Sequence, residues 1–278
     1  MVGRMADSRA ATQMLFATRL YRAELPHAGA LNAELEKTCL VIAREDSAGR
    51  RWAKEHGYRG YTSYASLDDL VTRAPVFAEL AKQLDTHVRD FARTLEFDLD
   101  GRRLVRDSLW INVMDKGGVH AGHIHPHSAI SGTYYVALPR GASAIRFEDP
   151  RLAMMMSAPP RREKAARANR TFVTIAPKPG TVLLWESFLR HDVPSNDAKG
   201  KRISVSFNYA MRRARGAPSP VVTISSRERR TRTWTKTICR RIPSRRKSPA
   251  PQIRWGKASA PCSGSWRSWP WWASWPMR

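Results

Sequence analysis

Residues 202–209 read RISVSFNY, a stretch in which polar and apolar residues alternate without interruption. Successive side chains of a β-strand point to opposite faces, so the pattern predicts a strand with one polar face and one apolar face. A polar face usually turns to water, but in a small barrel it can line a ligand cavity while the apolar face packs on helices. In that second arrangement, Arg202 is an inward-pointing guanidinium with a geometry suited to a carboxylate.

The period of two extends back along the chain to about residue 103. Segments rich in valine, isoleucine, tyrosine, phenylalanine and threonine are predicted as strands. These are 104–113, 130–138, 142–148, 170–176, 180–187 and 202–211. Prolines and glycines separate them, as turns require. Residues 151–169 are a long interruption, which indicates either a substrate-facing lid or a plain connection.

The part of the chain before these strands, residues 15–100, is predicted to be mostly helical. Apolar residues recur every three or four positions over 76–96, which is typical of an amphipathic helix, and a second helix is predicted near 30–45. Residues 57–63 are rich in glycine and aromatics and are interpreted as a loop. Helices followed by many short strands predict an α+β domain, with helices packed on an antiparallel barrel or sandwich.

The basic excess is concentrated at the carboxyl end. The chain has 48 basic and 24 acidic residues. Residues 211–278 contain 17 of the basic residues but only one acidic residue. Residues 212–278 also lack a hydrophobic period, so they are predicted to be a disordered tail, and residues 1–14 a flexible N-terminus. Arginine- and tryptophan-rich sequence can bind nucleic acid, which is expected as a partner only through this tail. The alternative is a tail that never folds and has no selected function, because high-GC DNA read in a shifted frame gives the same composition.

The three cysteines form no Cys-x-x-Cys pair and no disulfide framework. This fits a reducing compartment, so a cytoplasmic location is expected and a thiolate zinc site is excluded. No run of 18 apolar residues is present, so no membrane span is expected. The oligomeric state is left open.

Histidines cluster in residues 120–127, HAGHIHPH, which hold four of the chain's eight. His123 and His125 are two positions apart, so on an extended strand both would face one ion. Three neutral imidazoles, or two with one carboxylate, bind Fe(II) and leave half of its coordination sphere open. A third ligand must come from elsewhere, and His191 is the only histidine after the cluster. A histidine-rich stretch can equally be a solvated turn.

A series of motifs in a fixed order resembles the 2-oxoglutarate/Fe(II)-dependent oxygenase superfamily, and within it a subgroup with a His-x-His-Pro…Ser-Gly-x-Tyr-Tyr pattern. The motifs are HIHP at 123–126, SGTYY at 131–135, FEDPR at 147–151, PGTVLLW at 179–185, HDVP at 191–194 and RISVSFN at 202–208. The helical part resembles the same subgroup in FATRLY at 16–21 and GYRGYTS at 57–63. The resemblance covers about 15–211.

The resemblance implies a fold, an activity and its cofactors. The fold is a double-stranded β-helix, a jelly-roll or cupin-like barrel, at 101–211, with the helical part 15–100 packed on one sheet of the same domain. The activity is that of a non-haem Fe(II), 2-oxoglutarate-dependent dioxygenase of the hydroxylase type. Its cofactors are Fe(II), 2-oxoglutarate and O2, with ascorbate as an optional addition. The substrate, a small molecule or a peptide, is left open.

The resemblance also implies a ligand set for the iron. His123 matches the first histidine of the superfamily's His-x-Asp/Glu pair, and His191 matches the distal histidine. His125 stands where the family usually has a carboxylate, so the set is either three histidines or includes a carboxylate from elsewhere. The candidates for that carboxylate are Asp149, Glu186 and Asp192. His120 and His127 are expected near the rim or behind the ligands.

Four further residues are implied as contacts of the cosubstrate: Arg202, Ser204, Tyr134 and Asn112. Arg202 matches the arginine that pairs with the far carboxylate of 2-oxoglutarate, and Ser204 the serine beside it. Two rival functions stay open. One is a cupin-like metalloenzyme that does not use 2-oxoglutarate, which would have no fixed need for Arg202. The other is nucleic-acid binding through the basic tail.

Overall fold

The computed structural model describes residues 11–213 of the chain. The first ten residues and residues 214–278 lie outside the described part. The predictions of a flexible N-terminus and of a disordered tail therefore fall almost wholly outside it. Within residues 11–213, none of the helices combines the length and the apolar character that a membrane crossing needs.

The helices of the described part are α1 (Ala28–Glu45), α2 (Ser47–Glu55), α3 (Leu70–Arg73) and α4 (Pro75–Thr94). The predicted helices near 30–45 and 76–96 are confirmed as α1 and α4. Both are amphipathic, because their buried side chains follow one stripe; in α1 these are Leu31, Leu35, Cys39 and Ile42. Pro75 is the first residue of α4, where its missing N–H leaves no intrahelical hydrogen bond unmade.

The strands of the described part include six that the sequence predicts and four that it does not. They are β1 (Leu20–Glu24), β2 (Gly60–Thr62), β3 (Arg102–Met114), β4 (His120–His123), β5 (Ile130–Ala137), β6 (Ile145–Glu148), β7 (Phe172–Ile175), β8 (Thr181–Glu186), β9 (His191–Val193) and β10 (Arg202–Arg213). The predicted strands are confirmed as β3, β5, β6, β7, β8 and β10. The interruption at 151–169 contains two short 3₁₀ turns, Leu152–Met154 and Arg167–Asn169.

Strands β1 and β2 lie in the part of the chain predicted to be mostly helical. β1 pairs with β8 and β2 pairs with β3, so each extends a sheet edge. Neither has enough residues for a clear period of two. Their conformation is set by the neighbouring strand, which supplies hydrogen bonds that a short segment cannot make alone.

The strands form two antiparallel sheets. One has six strands in the order β1-β8-β5-β10-β3-β2, and the other has four in the order β4-β9-β6-β7. One face of the larger sheet packs on the helices, in a core that includes Phe77, Leu84 and Phe207. The opposite face packs on the smaller sheet, in a second core that includes Trp185 and Phe147. The order of layers is therefore helices, larger sheet, smaller sheet.

The expectation of a closed barrel at 101–211 needs correction. Within the described residues no strand pairing joins the two sheets, so they face each other without closing. The four strands of the smaller sheet have only three or four residues each and pair only among themselves. The two sheets are held together by the apolar side chains between them rather than by hydrogen bonds.

Gly132, in the middle of β5, explains why the tyrosine-containing motif carries a glycine. A Cβ at this position would lie 2.5 Å from the ring of Phe207 and 2.6 Å from Leu184. Interiors pack too densely to absorb such a contact without moving neighbours. The glycine therefore lets β5 lie flush between β8 and β10 at the centre of the larger sheet.

Candidate metal centre

Three of the predicted metal ligands converge. One ligand atom from each of His123, His125 and His191 lies within 4.8 Å of the others, and within residues 11–213 this is the group of histidines, cysteines or carboxylates that could hold a metal ion. The Nε2 atoms of His125 and His191 are 3.4 Å apart. Three nitrogen donors at this separation can occupy adjacent positions around one cation.

Hydrogen bonds orient two of these rings. The Nδ1 atom of His123 lies 2.7 Å from the carbonyl oxygen of Ala121, and Nδ1 of His191 lies 2.9 Å from that of Leu189. A carbonyl only accepts, so each Nδ1 carries the proton and donates it. The Nε2 of each ring is then left with a free lone pair. Metal-binding histidines are commonly held in this way, with one nitrogen fixed by a backbone carbonyl.

Strand pairing brings the rings together. β4 and β9 are antiparallel neighbours, and His123 is directly opposite His191 in their register. His125 is placed differently from the prediction, because β4 ends at His123 and His125 follows it in a turn. Its backbone N–H donates to the carbonyl of Ser187. His125 is therefore positioned by its backbone hydrogen bond to Ser187, and not by a two-residue spacing along one strand.

The environment keeps these imidazoles neutral. Burial, and to a smaller extent the charge of the nearby His123, lowers the pKa of His125 to about 4. Burial, together with the charges of the neighbouring histidines, lowers the pKa of His191 to about 2. The pKa of His123 is lowered, again mainly by burial. A neutral imidazole is the form that binds a metal, so the cluster is ready to do so at neutral pH.

These pKa shifts give the metal-free protein a defined pH dependence. An imidazole of the unfolded chain takes up a proton near about pH 6.5, whereas those of His125 and His191 stay neutral well below it in the folded state. The unfolded state therefore binds more protons as the pH falls, and stability is lost from about pH 6.5 downward. We expect the urea midpoint in EDTA to fall between about pH 7 and pH 5.

The matched variant for this measurement is His191→Phe, which removes one of the groups responsible. Its urea midpoint should depend less on pH over the same interval than that of the original chain. A midpoint that stays constant or rises on acidification in the original chain would contradict the neutral, buried state of the cluster.

The alternative carboxylate ligands are not part of this cluster. Asp149 accepts hydrogen bonds from the guanidinium of Arg151, and Asp192 forms a two-pronged pair with Arg146 at 2.6 Å. Burial raises the pKa of Glu186, which lies outside the ligand group. Within residues 11–213 the geometry thus favours three imidazoles.

The cluster forms one wall of a cavity between the two sheets. Its lining comes from both of them: Trp110, His120, His123, His125, Gly132, Thr133, Tyr135, Ile145, Trp185, His191, Val193, Arg202, Ser204 and Ser206. The polar face of β10 therefore turns inward, as the alternation at 202–209 allows. The apolar face of the same strand, with Val205 and Phe207, belongs to the core under the helices.

Arg202 lies at one end of this cavity with 2% of its surface exposed. Its Nε donates to the carbonyl of Ser143 at 3.1 Å, its Nη1 lies 3.4 Å from the Oγ of Ser204, and its Cζ is 5.3 Å from the ring centroid of Tyr135. Among residues 11–213, no carboxylate forms an ion pair with it. A buried guanidinium with neutral partners only is costly, and an anionic ligand would offset that cost.

Asn112 and Ser204 are directly opposite each other on β3 and β10. Ser204 lines the cavity beside Arg202. The amide of Asn112 is already engaged, since its oxygen accepts from Thr62 at 3.0 Å and its nitrogen donates to Ser206 at 3.1 Å. Asn112 thus supports Ser206 in the lining, and its direct contact with a cosubstrate stays a prediction.

Tyr134 is not in the cavity, and its predicted role requires correction. Its ring belongs to the core under the helices, and its hydroxyl donates to Asn32 at 2.6 Å. The next residue, Tyr135, lines the cavity instead. Neighbouring residues of a strand face opposite sides, so an error of one position moves the side chain through the sheet.

Two buried donors of the cavity lining have no hydrogen-bond partner among the described residues. They are the hydroxyl of Tyr135 and the indole N–H of Trp185. Trp185 packs edge-on against His191 with ring centroids 4.7 Å apart. Buried donors are rarely left unpaired, so these two groups indicate that the cavity takes a ligand with acceptor atoms.

The two remaining histidines of the cluster differ from each other. His120 lines the cavity, and its Nε2 lies 2.7 Å from the hydroxyl of Tyr58. His127 is exposed and lies in a turn with a positive φ of 69°. Tyr58 lies in the glycine- and aromatic-rich residues 57–63, interpreted from the sequence as a loop, of which residues 60–62 form β2. The sequence pattern does not predict its contact with His120.

A second depression of about 180 Å³ adjoins the metal centre at His191, on the smaller sheet, and its charged lining residues are Arg146, Glu148, Arg190 and Asp192. These four charges neutralise one another in two pairs, Arg146 with Asp192 and Arg190 with Glu148. Alternation along β6 sends Arg146 and Glu148 away from Phe147, which is in the inter-sheet core. With its charges already paired, this depression is a weaker candidate than the inner cavity.

Residues 108–208 match a family model described as "Putative 2OG-Fe(II) oxygenase". The match spans the three clustered histidines and Arg202. Residues 108–208 belong to the 2-oxoglutarate/Fe(II) oxygenase superfamily. This matched segment supports a 2-oxoglutarate-dependent activity of the oxidoreductase type, with iron and 2-oxoglutarate as the cofactors named in the family description. No curated protein matches the chain.

Solved structures similar to this chain include an oxidoreductase of the 2OG-Fe(II) oxygenase family from Burkholderia pseudomallei, at 17% identity and a TM-score of 0.34, covering 45% of this chain and 52% of that one. A prolyl-4-hydroxylase from Pseudomonas putida has 14% identity and a TM-score of 0.45, covering 71% and 94%. HygX from Streptomyces hygroscopicus, with nickel and 2-oxoglutarate bound, has 17% identity and a TM-score of 0.47, covering 69% and 82%. Likenesses at this level do not carry over a substrate.

Proposed function

We propose that this oxygenase holds Fe(II) through His123, His125 and His191, anchors 2-oxoglutarate on Arg202, and hydroxylates a substrate that enters the same cavity. One observation carries the proposal. A buried guanidinium without a carboxylate partner in the described residues shares a cavity with three converging, neutral imidazoles. A cation site and an anion site in one cavity suit a metal and a dicarboxylate.

The chemistry of the donor set fits both cofactors. Three neutral nitrogens leave the full charge of Fe(II) uncompensated, which favours an anionic ligand at the open positions. The ring of Tyr135 lies next to Arg202, and its hydroxyl has no hydrogen-bond partner within residues 11–213. A carboxylate between Arg202 and Tyr135 would receive charge-assisted hydrogen bonds from both.

When bound, the cofactors supply the oxidation: O2 is consumed as 2-oxoglutarate loses CO2 to become succinate, and one oxygen atom goes to the substrate. The residues of the chain orient and enclose. Ala121 and Leu189 fix the rings of His123 and His191 through their carbonyls. Trp185 packs against His191 and Phe147 and keeps that side of the cavity dry.

We further propose that the two facing sheets are the two halves of a double-stranded β-helix. Their layers support this, because the cavity lies between two antiparallel sheets and helices cover one outer face. The larger sheet supplies Arg202 and the smaller sheet supplies His123 and His191. The metal and the anion are thereby held from opposite walls.

The substrate is proposed to enter at the end of the cavity away from Arg202. Trp110 is opposite Ser206 in the register of β3 and β10, four residues or about 13 Å along the strand from Arg202. Its ring contacts His125 on one side, with centroids 5.8 Å apart, and Tyr64 on the other, at 5.0 Å. Tyr64 is 43% exposed, so this aromatic wall leads from solvent to the histidines.

Anaerobic titration tests the proposal directly. We expect a visible charge-transfer absorption when Fe(II) and 2-oxoglutarate are both added to the full-length chain, and not with either alone. In air, the loaded protein should convert 2-oxoglutarate slowly to succinate even without a substrate. The absence of both signals in a protein that binds Fe(II) would contradict 2-oxoglutarate use.

The cupin-like alternative is favoured by one observation, the lack of a carboxylate in the ligand group within residues 11–213. Such an enzyme would bind metal through the same histidines but would not need Arg202. Measuring metal binding and 2-oxoglutarate binding separately distinguishes the two functions. Metal binding without any 2-oxoglutarate binding would favour the alternative.

A further inference from the structure

Two glycine-containing loops pack against each other beside the cavity. They are residues 57–60, which lead into β2 and include its first residue, and residues 115–118, just before β4. The N–H of Asp115 donates to the carbonyl of Arg59 at 3.1 Å. Gly60 has a φ of 134°, and a Cβ there would lie 2.1 Å from the carbonyl oxygen of Val113. This close backbone approach requires glycine and fixes where the loop presents Tyr58.

Tyr58 reaches His120 across this junction. Its hydroxyl lies 2.7 Å from the Nε2 of His120, and their ring centroids are 5.2 Å apart. Tyr58 belongs to the part of the chain outside the family match at 108–208. The hydroxyl of Tyr58 thus connects the helical part of the chain to a residue of the cavity lining.

An irregularity in β4 turns His120 into the cavity together with His123. Residues three apart on a regular strand face opposite sides, but the register of β4 against β9 shifts between His120 and His123. Both rings consequently line the cavity. His120 and Arg202 line the same cavity. Burial, followed by the charges of Arg202 and His123, lowers the pKa of His120 to about 3, so the ring is neutral.

A neutral imidazole carries one proton, and the Tyr58 contact decides where it sits. When the tyrosine hydroxyl donates to Nε2, the proton of His120 is on Nδ1. Within residues 11–213, Nδ1 of His120 has no hydrogen-bond partner of its own. His120 can then offer this N–H to a ligand in the cavity.

We propose that His120, held by Tyr58, is a second binding group for the far carboxylate of 2-oxoglutarate, alongside Arg202. Tyr58 is the positioning residue, since it acts only through His120. This inference rests on the proposed function and deepens it. It also gives a role to the glycine-rich loop at 57–63, which the metal centre leaves unexplained.

The test measures ligand binding to the full-length chain loaded with Ni(II), which prevents turnover. We expect His120→Ala to raise the Kd for 2-oxoglutarate roughly tenfold or more, because a hydrogen bond to a charged group is lost. The Kd for 2-oxobutyrate, which has the same keto acid but no far carboxylate, should change by less than about twofold. His120→Gln, which keeps an N–H donor, should recover part of the loss.

Tyr58→Phe is the second variant, since it removes a single hydroxyl and leaves the ring in place. It should weaken 2-oxoglutarate binding by a smaller factor and leave the affinity for Ni(II) unchanged. The control is His127→Asn, which alters an exposed histidine of the same cluster and suits a positive φ. It should bind both keto acids as the original chain does.

The outcomes separate this inference from the function on which it rests. An original chain that binds Ni(II) but not 2-oxoglutarate would overturn both. If the original chain binds 2-oxoglutarate and neither Tyr58→Phe nor the His120 variants change its Kd, only the role of His120 is overturned. An equal loss for 2-oxoglutarate and 2-oxobutyrate also overturns it, because the effect would not depend on the far carboxylate.

Discussion

Replacement of Arg202 by methionine is expected to weaken 2-oxoglutarate binding by at least about 100-fold, since two charge-assisted hydrogen bonds to a carboxylate are lost. The stability of the folded protein, in contrast, should increase. Arg202 is 2% exposed and has only neutral partners, Ser143, Ser204 and Tyr135, within the described residues. Removing a buried charge that nothing neutralises should raise the unfolding free energy of the metal-free protein, by about 1 kcal/mol.

Calorimetric titration of the Ni(II)-loaded protein and urea unfolding in EDTA check the two effects. The control is Arg73→Met, which removes an exposed guanidinium paired with Asp69 on α3 and should affect neither measurement strongly. The combination of weaker binding and higher stability distinguishes a binding residue from a structural one. A fall of several kcal/mol in stability, with 2-oxoglutarate binding retained, would show that Arg202 has a structural role.

Replacement of His191 by alanine is expected to lower metal affinity by at least about 100-fold and to abolish turnover. His191 is buried, its Nδ1 is fixed by Leu189, and its Nε2 is 3.4 Å from that of His125. Two imidazoles remain in the variant, so weak metal binding should persist with an altered geometry. The visible spectrum of the Co(II)-loaded protein reports this change directly, because its bands depend on the number and arrangement of ligands.

His127→Asn is the matched control for the metal site as well, since His127 belongs to the same sequence cluster but is exposed. Its Co(II) spectrum should equal that of the original chain. If His191→Ala leaves the spectrum and the affinity unchanged, the three-histidine centre is wrong, and the metal is held elsewhere.

Much of the cavity wall could be read from alternation within single strands. The polar face of β10 turns into the cavity with Arg202 and Ser204, as the pattern allowed. Strand β5 has a similar alternation. Ser131, Thr133 and Tyr135 alternate with residues of the helix-side core, and this would have indicated Tyr135 rather than Tyr134. The motif resemblance identified the strand correctly but not the side of the sheet.

Other features of the site have no local signal. Tyr58 and His120 are 62 positions apart and meet because two loops pack glycine against backbone. His125 lies in a turn, and its backbone N–H is held by the carbonyl of Ser187, the residue that directly follows β8. The bulge that turns His120 and His123 to one side depends on pairing with β9. No spacing along the chain encodes these contacts.

The sequence by itself determined which residues could carry chemistry: a cluster of histidines, one later histidine, and an arginine on the polar face of a strand. It also determined the helices and longer strands, because their side-chain periods are local properties. Only the tertiary structure decided that three imidazoles converge, that Arg202 is buried without a carboxylate in the described residues, and that Tyr135 replaces Tyr134. The physical reason is that a period reports the faces of one strand, whereas a site is formed by pairing and packing between distant segments.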